Sequence, residues 1–133
     1  MTKAGLLDTS VFIAQETARP LAELPHLVAV SVVSIGELEV GVLAASDSAT
    51  RARRRDTLAL ARRADPLVIT EAVMSCWAQL VIDCRAAGIS RSVKLADALI
   101  AATAIAHGLP VVTQDADFDQ MAQAHPALEV ISV

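Results

Sequence analysis

The sequence predicts an α/β sandwich built on a mostly parallel sheet. Short aliphatic and β-branched runs alternate with longer helix-compatible segments, which is the pattern of strands joined by crossover helices. Aromatic residues make up only 2% of the chain, so Ala, Val, Leu and Ile must fill the core, which suits helices packed closely on a sheet. At 133 residues the chain has the length of one domain, residues 1–133. Its 54% hydrophobic and 20% charged composition excludes a disordered chain.

The elements follow in order. Ala4–Leu7 is an apolar run ending at Asp8, and Val28–Val33 is a β-branched run ending at Ser34. Both read as buried parallel strands, each followed by a helix-compatible segment. Ser34–Ala45 reads as a helix, and Ala49–Ala64 as another that carries most of the positive charge and shows no clean apolar face. Pro66–Thr70 is a short strand candidate. Glu71–Ala87 is a helical pattern closed by Gly88, and a further helix, about Val93–His107, is closed by Gly108 and Pro110. Pro110–Thr113 and Leu128–Val133 are the last strands, with a short helix near Phe118–Ala124 between them.

Several classes are excluded. The longest uncharged run, Ala98–Gln114, is broken by His107, Gly108 and Pro110, so no segment reads as a membrane span. Lys3 and Asp8 leave no apolar stretch for a secretory signal, and a cytoplasmic address is expected. Cys76 and Cys84 lie about 12 Å apart along one helix and cannot bridge to each other there. Without Cys-x-x-Cys or paired histidines, neither a zinc nor a thiol redox site is suggested. Phe12, Trp77 and Phe118 cannot furnish a base-stacking platform. His26, His107 and His125 form no cluster and read as structural.

In such a fold ligands bind at the carboxyl ends of the strands, so acids lying just after strand candidates stand out. Asp8 follows Leu6-Leu7, Glu37 lies one helical turn beyond Val28–Val33, and Asp115 follows Val111-Val112-Thr113. Each also has a structural reading. Asp8 reads equally as a turn residue or helix cap, Glu37 completes a Ser-x-x-Glu capping box with Ser34, and Asp115 caps the short helix beyond it. Asp97 is harder to dismiss, because it is the only charge between Lys94 and Asp115, in a run of Ala, Leu and Ile where a carboxylate is costly to bury.

Leu6-Leu7-Asp8-Thr9-Ser10, Ser34-Ile35-Gly36-Glu37-Leu38, Asp97-Ala98-Leu99-Ile100-Ala101-Ala102-Thr103-Ala104 and Thr113-Gln114-Asp115-Ala116-Asp117-Phe118 resemble, in order and spacing, the segments of PIN-domain ribonucleases. Among these the chain is similar to the VapC toxins of bacterial toxin–antitoxin pairs. The resemblance implies a three-layer α/β/α sandwich, a magnesium-dependent endoribonuclease, a VapB-type antitoxin as inhibitor, and a homodimer. It implies an acidic quartet of Asp8, Glu37, Asp97 and Asp115, with Thr9, Ser10 and Thr113 supporting it. Asp117 is the alternative to Asp115, which is preferred because it comes directly off the strand.

The chemistry agrees with that resemblance. Carboxylates without His or Cys form a hard oxygen site suited to Mg²⁺ or Mn²⁺. Asp8 and Asp97 are the expected direct ligands, and Glu37 and Asp115 hold metal-bound waters or a second ion. A water made acidic by the ion attacks phosphorus, which leaves 5′-phosphate and 3′-hydroxyl ends. The quartet matches the chain's net charge of −4, so the remainder is neutral. Arg51, Arg53, Arg54, Arg55, Arg62 and Arg63 fall within thirteen residues. On a helix Arg51, Arg55 and Arg62 project within about 40° of one another, either as an RNA contact or as a solvated face. Arg91 and Lys94 stand closer to Asp97 and are the other candidate RNA contacts.

Two rival readings remain. An aspartyl-phosphate phosphatase is opposed by Ser10 where a second Asp belongs and by the lack of a lysine after a late strand. A PIN-like module that binds RNA or protein without cutting is expected to lose quartet acids, and this chain keeps all four.

Overall fold

A computed structural model describes residues 3–133. Its strands are β1 (Ala4–Leu7), β2 (Leu27–Val30), β3 (Val111–Thr113) and β4 (Val130–Ser132), and they form one parallel sheet in the order β2-β1-β3-β4. The helices are α1 (Thr9–Glu16), α2 (Val32–Ala44), α3 (Ser48–Arg62), α4 (Glu71–Ala86), α5 (Leu95–Ala106) and α6 (Asp117–Ala124), with a single 3₁₀ turn at Ser90–Ser92.

Successive side chains of a strand point to opposite faces, and here that alternation separates two cores. Leu6 and Val111 pack with Leu80, Ile100, Phe118 and Met121 from α4, α5 and α6. Their neighbours Leu7 and Val112 pack with Val11, Phe12, Leu38 and Leu58 from α1, α2 and α3. The sandwich is therefore three-layered, as expected, and its sheet is wholly parallel. Within the first core, Ala98, Ala101 and Ala104 repeat at helical spacing along α5 and lie against Leu80 and Cys84 of α4. Small side chains at that interface let two helices pack without aromatic filler. Cys76 and Cys84 both lie on α4 and are free thiols, as their spacing requires.

Some expectations need correction. The second strand ends at Val30 rather than Val33, because Ser31 caps α2 by accepting from Val33 N at 3.0 Å. Ser34 is then a buried residue in the first turn, so the Ser34–Glu37 capping box does not form. Tertiary contact selects the earlier serine: Val32 N donates to Leu67 O at 3.0 Å, and Leu67 N to Val30 O at 2.8 Å. Pro66–Thr70 makes only this bridge, at Leu67, and is no strand. Asp65, with φ +49°, turns the chain immediately before it. The arginine-rich helix does have a buried face, Leu58 and Ala61, which the surrounding charge conceals in the sequence. Nor does Asp115 cap α6, whose N-cap is Ala116 without a side-chain bond. His125 is structural: Nδ1 lies 2.6 Å from Asp83 Oδ2, tying the end of α6 to α4, and this bond holds the Asp83 carboxyl below its usual range.

β1 and β3 are close neighbours at Gly5. A Cβ there would meet Val112 Cγ2 at 2.6 Å and Pro25 Cγ at 3.1 Å. Gly5→Ala is therefore expected to lower stability by about 1–3 kcal/mol through overpacking. A urea midpoint equal to wild type would show that the strand leaves more room than this.

Candidate functional site

Asp8 leaves the end of β1 and begins α1 as its N-cap. Its backbone N donates to Val112 O at 2.9 Å, continuing the β1–β3 ladder one residue past the strand. Its Oδ2 accepts from Ser10 Oγ at 2.8 Å, from Thr113 Oγ1 at 2.9 Å and, more loosely, from Ser10 N at 3.4 Å. Among the described residues no donor reaches Oδ1, which leaves that oxygen for a cation. Ser10 and Thr113 are themselves fixed: Gln114 N donates to Ser10 Oγ at 3.0 Å, and Asp115 N to Thr113 Oγ1 at 2.9 Å. The cap expected of Asp8 and its place in a site are thus one arrangement.

Glu37 comes from the second turn of α2. Thr9 Oγ1 donates to Glu37 Oε1 at 2.6 Å and lies 2.9 Å from Ser34 Oγ. Displacing the capping box releases Glu37 to turn toward α1, and Thr9 orients it there. Asp97 stands in the first turn of α5, 8% exposed, with no hydrogen bond to its carboxylate among the described residues. The helix N-terminus offsets part of that burial. The rest pushes its pKa from 3.8 to about 6, through burial first and then the charges of Asp8 and Glu37, with Asp115 adding to them and Lys94 opposing. The Asp115 carboxyl is also raised, by burial and by Asp8 and Asp117.

Asp8, Glu37, Asp97 and Asp115 line one cleft of about 260 Å³, together with Thr9, Ser10 and Lys94. It opens at the carboxyl ends of β1 and β3, the two central strands. Asp117, the alternative to Asp115, is exposed at the start of α6 and does not line it. Of the candidate RNA contacts, only Lys94 reaches the cleft. Arg91 sits outside it on the 3₁₀ turn. Arg51 donates to Ala45 O at 2.8 Å, Arg62 pairs with Glu39 at 3.4 Å, and Arg55 is exposed on α3. Arg19, just beyond α1, also lines the cleft, and sequence reasoning missed it because it lies in no motif. Among the described residues no three His, Cys, Asp or Glu side chains converge as a full ligand set. The donors present, hard oxygens of which those of Asp97 have no hydrogen-bond partner among the described residues, fit a cation that takes one or two carboxylates and keeps its waters, which is the habit of magnesium.

Acidic side chains gathered above the centre of a parallel α/β sheet define the class. The chain belongs to the PIN domain family, whose model matches residues 5–124. Its relatives include ribonuclease VapC8 of Mycobacterium tuberculosis, 67% identical over 100 residues, which are 75% of this chain and 89% of that protein. Ribonuclease VapC4 of the same organism is 46% identical over 133 residues, 98% of each chain. In structure the chain is similar to VapBC-5, from the VapBC family of toxin–antitoxin systems of Mycobacterium tuberculosis. That likeness has a TM-score of 0.86 at 40% identity and covers 98% of this chain and 99% of that one.

The raised pKa of Asp97 makes a signed prediction. The folded chain holds its proton up to about pH 6 and the unfolded chain only to about 3.8, so metal-free stability falls as pH rises between them. The full cost, about 3 kcal/mol, is present above that window. In EDTA at about pH 7.5, Asp97→Asn should melt higher than wild type, and the gain should vanish toward about pH 4. A lower melting point at neutral pH would make Asp97 a structural acid. Glu37→Gln keeps an acceptor for Thr9 and should alter stability by no more than about 0.5 kcal/mol. Its loss of charge should nevertheless reduce the rise in melting temperature that Mn²⁺ produces, and an undiminished rise would remove Glu37 from the site.

Proposed function

We propose that this chain is a magnesium-dependent endoribonuclease, able to use Mn²⁺, that hydrolyses RNA phosphodiester bonds in this cleft and is inhibited by a VapB-type antitoxin. The observation that carries the reading is Asp97, a buried carboxylate with no hydrogen-bond partner among the described residues, set beside Asp8, Glu37 and Asp115. The similarity to ribonucleases VapC8 and VapC4, and to the VapBC-5 toxin–antitoxin structure, supports both the activity and the partner. The cytoplasm, where RNA is plentiful and free thiols such as Cys76 and Cys84 persist, is the compartment this function requires.

Asp8 and Asp97 would hold the ion directly, with Glu37 and Asp115 accepting from its waters. When bound, Mg²⁺ supplies a water of lowered pKa and positive charge against the phosphate oxygens. The side chains do the positioning. Ser10 and Thr113 fix Oδ2 of Asp8, so that Oδ1 is presented without a rotamer search. Thr9 orients Glu37 at the cleft, where its carboxylate would accept a proton. Asp115, two residues beyond the end of β3, would face the same waters from the other central strand's end. No side chain is required as a nucleophile.

The test is cleavage of single-stranded RNA by the purified chain. Activity should appear with Mg²⁺ or Mn²⁺, disappear in EDTA, and fall about a hundredfold or more in Asp8→Asn. Added VapB-type antitoxin should suppress it. Cleavage that persists in EDTA, or products ending in a 2′,3′-cyclic phosphate, would overturn the metal-hydrolysis reading.

A further inference from the structure

Two cations line the acidic cleft, and they reach it from different elements. Lys94 is the N-cap of α5, and Arg19 follows α1. Among the described residues neither side chain makes a hydrogen bond or an ion pair, and both are exposed. They stay near the carboxylates without neutralising them. Arg19 draws down Asp115 from a distance, and Lys94 draws down both Asp97 and Asp115.

The backbone fixes where Arg19 begins. Arg19 N donates to Ala14 O at 2.8 Å and Ala18 N to Gln15 O at 3.3 Å, the paired bonds of a Schellman turn. Ala18 completes that turn with φ +56° where glycine is usual, at a cost of about 1 kcal/mol. The chain leaves α1 at a set angle, and Arg19 starts from a rigid point.

Charge decides what these cations are for. Four carboxylates line the cleft, and negative groups there repel a phosphodiester. Arg19 and Lys94, the two cationic side chains that line it, oppose that repulsion. The arginines of α3 are less free to do so: Arg51 and Arg54 donate to the carbonyls of Ala45 and Gly41, and Arg53 and Arg62 pair with Glu16 and Glu39.

We infer that Arg19, together with Lys94, binds the phosphodiester that is cut, the forked guanidinium of Arg19 taking its non-bridging oxygens. This rests on the ribonuclease reading above. Arg19→Gln should lower kcat/KM on a short single-stranded RNA about tenfold, and Arg19→Lys, which keeps the charge but loses the fork, should fall between. Melting should change little, since among the described residues the side chain makes no hydrogen bond or ion pair. In the Asp8→Asn background with Ca²⁺, binding of the fluorescein-labelled RNA should lose about 0.7 from its log–log salt slope when Arg19 is removed. Mn²⁺ affinity without RNA should not fall, because a cation has been taken from beside the acids. An Arg19→Gln chain with wild-type kcat/KM and salt slope overturns the inference while leaving the nuclease intact. So does a fall in Mn²⁺ affinity, which would place Arg19 in support of the metal site. A wild-type chain that fails to cut RNA in Mg²⁺ overturns the nuclease reading instead, and the salt slope then decides Arg19 by itself.

Discussion

The pairing of β1 with β3 positions everything the site contains. In the register Leu6↔Val111 and Leu7↔Val112, the two strands end side by side, so Asp8 and Thr113 emerge as neighbours although 105 residues separate them. The ladder does not stop at the strand ends. Asp8 N still reaches Val112 O, and the hydroxyls of Ser10 and Thr113 continue the bonding through side chains into the carboxylate. Gly5 lets the strands lie this close, because any side chain there would strike Val112. A shift of one residue in that register would exchange Leu6 with Leu7 between the two cores and carry Asp8 away from Thr113.

The site concentrates like charge, and the fold contains the repulsion unevenly. Asp8 is held by hydroxyls and a backbone amide, and Glu37 by Thr9, so both carboxylates accept hydrogen bonds. Among the described residues Asp97 has no hydrogen-bond partner and receives only the helix N-terminus, and its pKa is pushed up to about 6. The cost of folding this cleft without an ion therefore falls mainly on one residue. Burial that would be a defect in a structural protein favours a divalent cation here, since its charge repays the desolvation of Asp97 and the crowding of its neighbours together.

The arginines illustrate how charge in a sequence differs from charge available to a ligand. Arg54 and Arg51 of α3 donate to Gly41 and Ala45, the last turn and C-cap of α2, where unsatisfied carbonyls and the negative end of the helix dipole attract a cation. They join α2 to α3. Arg19 stands alone in sequence and carries no helical pattern, yet it is the arginine that reaches the acidic cleft.

Apart from the strand expected at Pro66–Thr70, the order of elements, the parallel sheet and the acids near strand ends were legible in the sequence, because apolar runs and Gly or Pro stops are local signals. Asp97 stood out for the same reason: a single charge among Ala, Leu and Ile is visible without a structure. Competing local signals were resolved only by tertiary contact. Ser31 and Ser34 are both good helix caps, and the bridge from Ser31 to Leu67 chose the first, which freed Glu37 for Thr9. The buried stripe of α3 was hidden by its arginines, and the approach of Arg19 depends on a left-handed Ala18 that no residue preference announces. The sequence by itself determined which residues are apolar, which are charged and where helices stop. Which carboxylate oxygen is left free, which arginine is spent and which acid stays unpaired depend on distances between segments up to 105 residues apart, and only the folded chain sets those.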